Sequence, residues 1–555
     1  MAHSEGQLSK FIAIFAGGTM ISRVLGLVRD SMVNAMIPVG PREAFLVAFR
    51  LPNTLRDIVG EGASNAAIIP VLSEVHEKKS KEEFQAVVSS VFGGMIVVLA
   101  LVTALGVLLV PWMLSQLNHL DAITSGKTYS PEELSHLVSL GRWTFPYIFF
   151  IGLAVFSMGV LFTVRRYSTS SWAPALLNVA MIGSCLLSYT GTMTPGYALV
   201  LGVWIGGIAQ VAVQQYSMGK HTGVWMPSFR LNRSEIYTIL GLMVPVAIGQ
   251  AAGEVNKMVD TLFAYKSAEG SVTALYSANR LVQLPLSVFG FATAAAVLPA
   301  VSRAAAQQRP DQIRALLMHG FRQTYFLITP SMIGLIVLGE PIVRLLFQYG
   351  RFTAINTEWT TNALIIYAMG LLAFAWVKVA VSGFYAVKDT RTPVLISSGS
   401  MILNIALCFL FVKPYGYKGL AAATTFSYFV NFGVLYILLC QRYKALWDAK
   451  FISGLIRMSL ATAAMGALAY GAYVRLRFVV PETAFAGYGD TISGVVGNST
   501  AMFLEVLAAR AVVVLVPMLI AVLSYLLLSK FFGVDEFESF LRLLRRKKEA
   551  KAKAK

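Results

Sequence analysis

From Phe11 onward the chain alternates between apolar runs of about 20 residues or more and short polar breaks, the length at which a helix crosses a hydrocarbon layer about 30 Å thick. The runs predict spans near 11–37, 43–72, 84–114, 137–164, 172–190, 195–216, 236–264, 272–300, 314–338, 357–386, 392–413, 417–440, 452–474 and 508–530. The expectation is an all-α polytopic membrane protein with about 14 transmembrane helices. The opening MAHSEGQLSK has neither the basic start nor the apolar core of a cleavable signal, so Phe11 onward is expected to be mature structure.

Four runs break the apolar pattern. Span 1 holds Arg23, Arg29 and Asp30, and span 2 holds Glu43, Arg50, Arg56, Asp57 and Glu61. Span 7 holds Glu254, Lys257 and Asp260, and span 8 holds Arg280. An Arg or Lys at a bilayer centre costs roughly 2.5–3.5 kcal/mol, so these side chains must face protein or a polar cavity. On span 1, Arg23 and Asp30 share a helical face, while Arg29 sits about 100° round from Asp30 and roughly 9 Å along from Arg23. Asp30 can neutralise an arginine as a buried pair. The other reading is an anion site, since Arg23, Arg29 and Arg280 have few carboxylates near them on their own helices. Arginine's planar fork of donors suits phosphate or carboxylate, and a diphosphate would match several such forks.

The same spans carry an internal similarity. RLPNTLRDIVGEGASNAAIIPVLS from Arg50 aligns with RLVQLPLSVFGFATAAAVLPAVS from Arg280, pairing Gly60 with Gly290 and Pro70 with Pro299 across one gap. A second pair, FTVRRYSTSSWAPALLN from Phe162 and FYAVKDTRTPVL from Phe384, ends each time in a proline that opens an apolar helix. Duplication implies two pseudo-symmetric six-helix bundles, residues 1–220 and 221–445. Two extra transmembrane helices at 446–535 and a basic tail at 536–555 follow.

Composition agrees with this class. The 555 residues are 56% hydrophobic and 13% charged, which excludes a soluble globule. Cys185, Cys408 and Cys440 lie in apolar stretches without metal-ligand spacing, so neither a disulfide framework nor a zinc site is expected. If the N-terminus is cytoplasmic, the basic loops and the tail RLLRRKKEAKAKAK fall on the cytoplasmic side, so both termini are expected there. The net charge of +18 then reflects topology and contact with anionic lipid, not nucleic acid. None of the six histidines sits among the charged spans, and Glu61 is the one candidate base there, which argues against an enzyme acting on a lipid diphosphate.

The strings SRVLGLVRD at Ser22, EAFLVAFRLPNTLRDIVGEGASNAAIIP at Glu43, ANRLVQLPLSVFG at Ala278, FQYGRFTA at Phe347 and FYAVKDTRTPV at Phe384 resemble, in order, the signatures of the MurJ (MviN) lipid II flippases of the MOP superfamily. The resemblance covers spans 1 to 12. It implies a bacterial inner-membrane transporter for peptidoglycan synthesis that carries lipid II to the periplasmic leaflet by alternating access, with the lipid tail in a groove beside spans 13 and 14. The family's cavity arginines match Arg23, Arg29, Arg56 and Arg280, and Asn53 and Gln283 complete the expected substrate contacts. Asp30, Glu43 and Glu61 are the expected gate or charge-pair residues, with Glu43 standing where the family usually has Asp. The family's sodium positions fall on Asp260, Asn404, Cys408, Leu420 and Thr424. Cys408 replaces a carboxylate there, and a thiol is a poor ligand for a hard cation. No cofactor is expected, and Na+, H+ or the membrane potential is left as the source of drive. Expected partners are lipid II, membrane lipids and the cell-wall synthesis machinery. The rival readings are another MOP-type exporter of lipid-linked oligosaccharide or drugs, and a lipid diphosphate phosphatase.

Overall fold

The computed structural model describes residues 21–56, 58, 65–124, 130–164, 166, 168–230, 234–480 and 498–538. Gly60, Glu61 and most of the basic tail lie outside the described residues. Among the described residues every regular element is helical. Contacts divide the chain into two compact units, Met1–Thr273 with Tyr349–Thr353, and Ala274–Gln348 with Ala354–Lys555.

The first unit comprises α1 (residues 21–36), α2 (Val39–Arg56), α3 (Asn65–Lys78), α4 (Lys81–Thr124), α5 (Pro131–Thr144), α6 (Tyr147–Thr163), α7 (Ser168–Tyr189), α8 (Pro195–Thr222) and α9 (Ser234–Ser267). Span 4 arrives as two helices because Pro146 supplies no backbone donor at the junction. There Thr144 Oγ1 donates back to the carbonyls of Leu140 and Gly141, each at 3.0 Å. α5 starts on a capping box, with Ser130 and Glu133 each accepting the other's backbone N–H. α7 and α8 pack closely because Gly202 and Gly206 bring the α8 backbone against α7: a Cβ at Gly206 would lie 2.7 Å from the Cα of Leu177. α9 packs on α2, α3 and α4, so span 7 falls with the first unit. Its first turn is tied there by Lys79, which donates to Glu235 at 2.9 Å and to Glu83 at 3.0 Å.

The second unit takes up the chain within α10 (Ser271–Pro285) and continues with a π turn at Leu286–Gly290 and α11 (Phe291–Ala306). α12 (Pro310–Val337), α13 (Gly339–Phe347), α14 (Ala354–Tyr385), α15 (Arg391–Tyr415), α16 (Tyr417–Tyr443), α17 (Ala449–Val479) and α18 (Asn498–Phe531) complete it. Pro285 lacks the N–H that would continue the helical ladder, and the wider turn that follows absorbs the mismatch. Span 8 is therefore two helices, α10 and α11, as span 2 is α2 and α3, with Arg280 and Arg50 in the first piece and Pro299 and Pro70 in the second. One core of this unit gathers Val301, Leu317, Phe321, Ala380 and Leu439 from α11, α12, α14 and α16. Another joins Phe326, Met458, Met465 and Tyr525 from α12, α17 and α18, and it seats the two extra helices on the bundle.

Among the described residues 9 helices are long and apolar enough to cross a membrane, and α12 with α13, bent by 73°, raises this to 10. α1, α2 with α3, α9, and α10 with α11 occupy the positions of the remaining expected spans, which are the charged ones.

Candidate functional site

In the first unit the charged side chains of α1 meet α7. The Arg29 guanidinium donates through Nε to Asp30 Oδ1 at 3.0 Å and through Nη1 to Asn178 Oδ1 at 3.1 Å, while Asn178 donates to the carbonyl of Ser22 at 2.9 Å. Asp30 thus neutralises its neighbour, as the pairing reading of the sequence holds. The Arg29 side chain keeps 12% of its surface exposed. Arg23 lies exposed on the same helix. Asn53 and Arg56, one turn apart at the end of α2, are half-buried.

The α2–α9 contact is also charged. Arg50 Nη2 lies 3.7 Å from Glu254 Oε2, and Lys257 donates to the other oxygen of Glu254. Both carboxylate and guanidinium are largely buried, and Asp260 is half-buried further along α9. Ion pairing between two spans keeps each from presenting an uncompensated charge to an apolar surround.

At the end where α1 stops, Arg42 and Glu43 tie three segments together. Glu43 accepts the backbone N–H groups of Gly270 at 3.0 Å and Thr273 at 2.9 Å, donors at the start of α10 that have no acceptor within their own helix. A carboxylate there also meets the positive end of the helix dipole. Arg42, fully buried, donates to Thr273 Oγ1 at 3.2 Å and to the carbonyls of Asn34 at 2.8 Å and Ile37 at 3.3 Å. The segment Tyr349–Thr353 docks on the same end of α1: the N–H of Arg351 donates to the carbonyl of Ala35 at 2.8 Å. Gly350 adopts φ 55°, and a Cβ on it would lie 2.3 Å from that carbonyl, so glycine is required twice over.

The second unit holds the remaining expected residues. Arg280 is half-buried and Gln283 exposed on α10, the last turns before the π turn. Asn404, Cys408 and Leu420 are buried where α15 and α16 pack, and Thr424 Oγ1 donates to the carbonyl of Leu420 at 3.2 Å. This part of the expected ion set offers oxygens from Asn404, Leu420 and Thr424 beside the Cys408 thiol, a mixed donor set for a cation that prefers oxygen alone. Among the described residues no group of three or more His, Cys, Asp or Glu side chains is arranged to hold a metal ion.

Sequence reasoning singled out Arg29 and Asp30 but missed Asn178, because one amide in an apolar span reads as an ordinary hydrogen-bonded residue. It also missed the structural work of Arg42, although an Arg beside Glu43 at a span's edge was the available hint.

The arrangement suits a transporter: cationic groups on several helices, held by local pairs. Comparison with known proteins bears on which one. The family described as "Lipid II flippase MurJ" matches residues 40–487. A Vibrio cholerae protein named "Probable lipid II flippase MurJ" is 33% identical over 506 residues, covering 90% of this chain and 96% of its own. A solved structure titled "Lipid II flippase MurJ, inward closed conformation" superposes with a TM-score of 0.71 at 26% identity, covering 94% of this chain and 99% of that one. A multidrug resistance MATE transporter of the MOP superfamily, in an inward-facing conformation, superposes at 0.61 with 16% identity over 78% of this chain and shares the fold.

Proposed function

The chain belongs to the MurJ family of lipid II flippases, and from that premise we propose how its residues divide the work. It is a multi-pass membrane transporter, not an enzyme, and its cargo is lipid II. The observation that carries the residue assignment is the concentration of arginine on α1, α2 and α10, in spans where every charge must be compensated.

Arg23, Arg29, Arg56 and Arg280 bind the diphosphate, with Asn53 and Gln283 contacting the attached groups. Their mutual repulsion disfavours a closed empty cavity, and the bound diphosphate removes it, so cargo itself favours closure. Alternating access then exposes the site to one leaflet at a time. Glu43 holds the end of α1 and the start of α10 together in one state of that cycle. Both termini lie on the cytoplasmic side of the inner membrane, with cargo released at the periplasmic face. The mixed donor set at Cys408 argues against sodium as the driver. The membrane potential, worth about 2.3 kcal/mol per charge per 100 mV, acts on the charged spans instead.

The test is leaflet exchange of labelled lipid II in liposomes carrying the purified protein, with and without a sodium gradient or a potential. Arg29→Ala and Arg280→Ala should insert at wild-type abundance and lose exchange. Normal exchange by either protein contradicts the assignment, and exchange that follows the sodium gradient alone contradicts the proposed drive.

A further inference from the structure

A second cationic site lies away from the residues assigned to cargo, wholly within the second unit. Arg344 on α13, Arg477 near the end of α17 and Arg510 on α18 line a cavity of about 180 Å³, completed by Pro341, Tyr473 and Val513. That volume equals roughly six waters at about 30 Å³ each, room for a phosphate group and its remaining hydration. The described lining carries three guanidinium groups and no carboxylate.

The three arginines are held differently. Arg510 donates through Nη1 to the carbonyls of Gln348 at 2.7 Å and Arg344 at 3.3 Å, capping the last turn of α13 and fixing that helix to α18. Arg344 is half-buried in the wall. Arg477 is exposed at the rim, one turn from Tyr473 on α17. A cavity lined by three guanidinium groups suits an anion, because their planar forks match phosphate oxygens two at a time.

The surroundings say what kind of anion. Beside the rim Phe478 is 82% exposed and Val479 67% exposed, and α18 enters its apolar stretch at Leu504. Apolar side chains bare at a span's end face acyl chains, and arginine forks beside them suit the phosphate of a lipid headgroup. We propose that Arg344, Arg477 and Arg510 form a binding site for the phosphate of an anionic membrane lipid, whose acyl chains lie against the ends of α17 and α18. The lining shares no residue with those assigned to the diphosphate.

The test uses the purified full chain in nonionic detergent and measures binding of dihexanoyl-phosphatidylglycerol, dihexanoyl-phosphatidylcholine and inorganic phosphate. The anionic lipid should bind more tightly than the other two. Arg477→Gln and Arg344→Gln should each weaken it about tenfold, the loss expected for one charge-assisted contact. Arg475→Gln, exposed on α17 outside the lining, should leave it unchanged. Unaltered affinity in both lining variants at wild-type thermal stability overturns the site. Inorganic phosphate binding as tightly as the anionic lipid overturns its assignment to a lipid.

Discussion

Glu43 illustrates how one side chain can replace a stretch of secondary structure. Its two oxygens accept the N–H groups of Gly270 and Thr273, which have no partner of their own at the head of α10. Glu43→Ala should lower stability by about 1–3 kcal/mol, the cost of leaving buried donors unmet, and Glu43→Gln should lose less because an amide oxygen still accepts. Thermal unfolding in detergent reads both, and equal midpoints for the two variants would contradict this account. At the other end of the unit, the hydrogen bond from Lys79 holds the Glu235 carboxyl below its usual range. A depressed carboxyl stabilises the fold at pH above its ordinary value of about 4.3, and that contribution fades as pH falls through the lower folded value. Glu235→Gln should therefore remove a small acid-sensitive part of stability, under about 1 kcal/mol for so accessible a pair, seen as a flatter midpoint between about pH 5 and pH 3. These contacts were not legible in sequence. Glu43 stood out as a charge, but its partners are backbone amides about 230 residues on, and amides have no residue code.

Elements were far easier to read than contacts, because the apolar period and length that define a span are local properties. Each expected segment has a helix or helix pair at its place among the described residues. What sequence left open was how closely helices approach. Gly202 and Gly206 read as ordinary membrane glycines, yet a Cβ at Gly206 would run into the backbone of α7. Gly206→Ala should cost about 1–3 kcal/mol by overpacking. Gly183→Ala, facing open space, should be close to neutral. The comparison is best made by unfolding both proteins in the same detergent, and matching midpoints would remove the packing argument.

At the scale of the whole molecule, the segment beyond the last span is anchored by charge. Arg322 on α12 donates through Nη2 to Glu536 Oε2 at 3.0 Å and to Asp535 Oδ2 at 3.2 Å, with Glu536 only 2% exposed. Arg457 adds a bond to the carbonyl of Gly533 at 3.3 Å. Removing the guanidinium in Arg322→Ala leaves a buried carboxylate alone, so about 3–5 kcal/mol should be lost locally. Protease should then cut after α18 in the variant while the wild-type chain resists; identical digestion patterns would show that the anchor does nothing. The Arg29 pair has a consequence in time as well as in space. Asn178, which braces Arg29 in the finished fold, lies 149 residues further along the chain. At synthesis rates of about 5–20 residues per second, the ribosome reaches it roughly 7 to 30 seconds after Arg29. Through that interval Arg29 already has Asp30 as its immediate neighbour but not yet Asn178, so Asp30 serves the nascent protein before it serves the mature one.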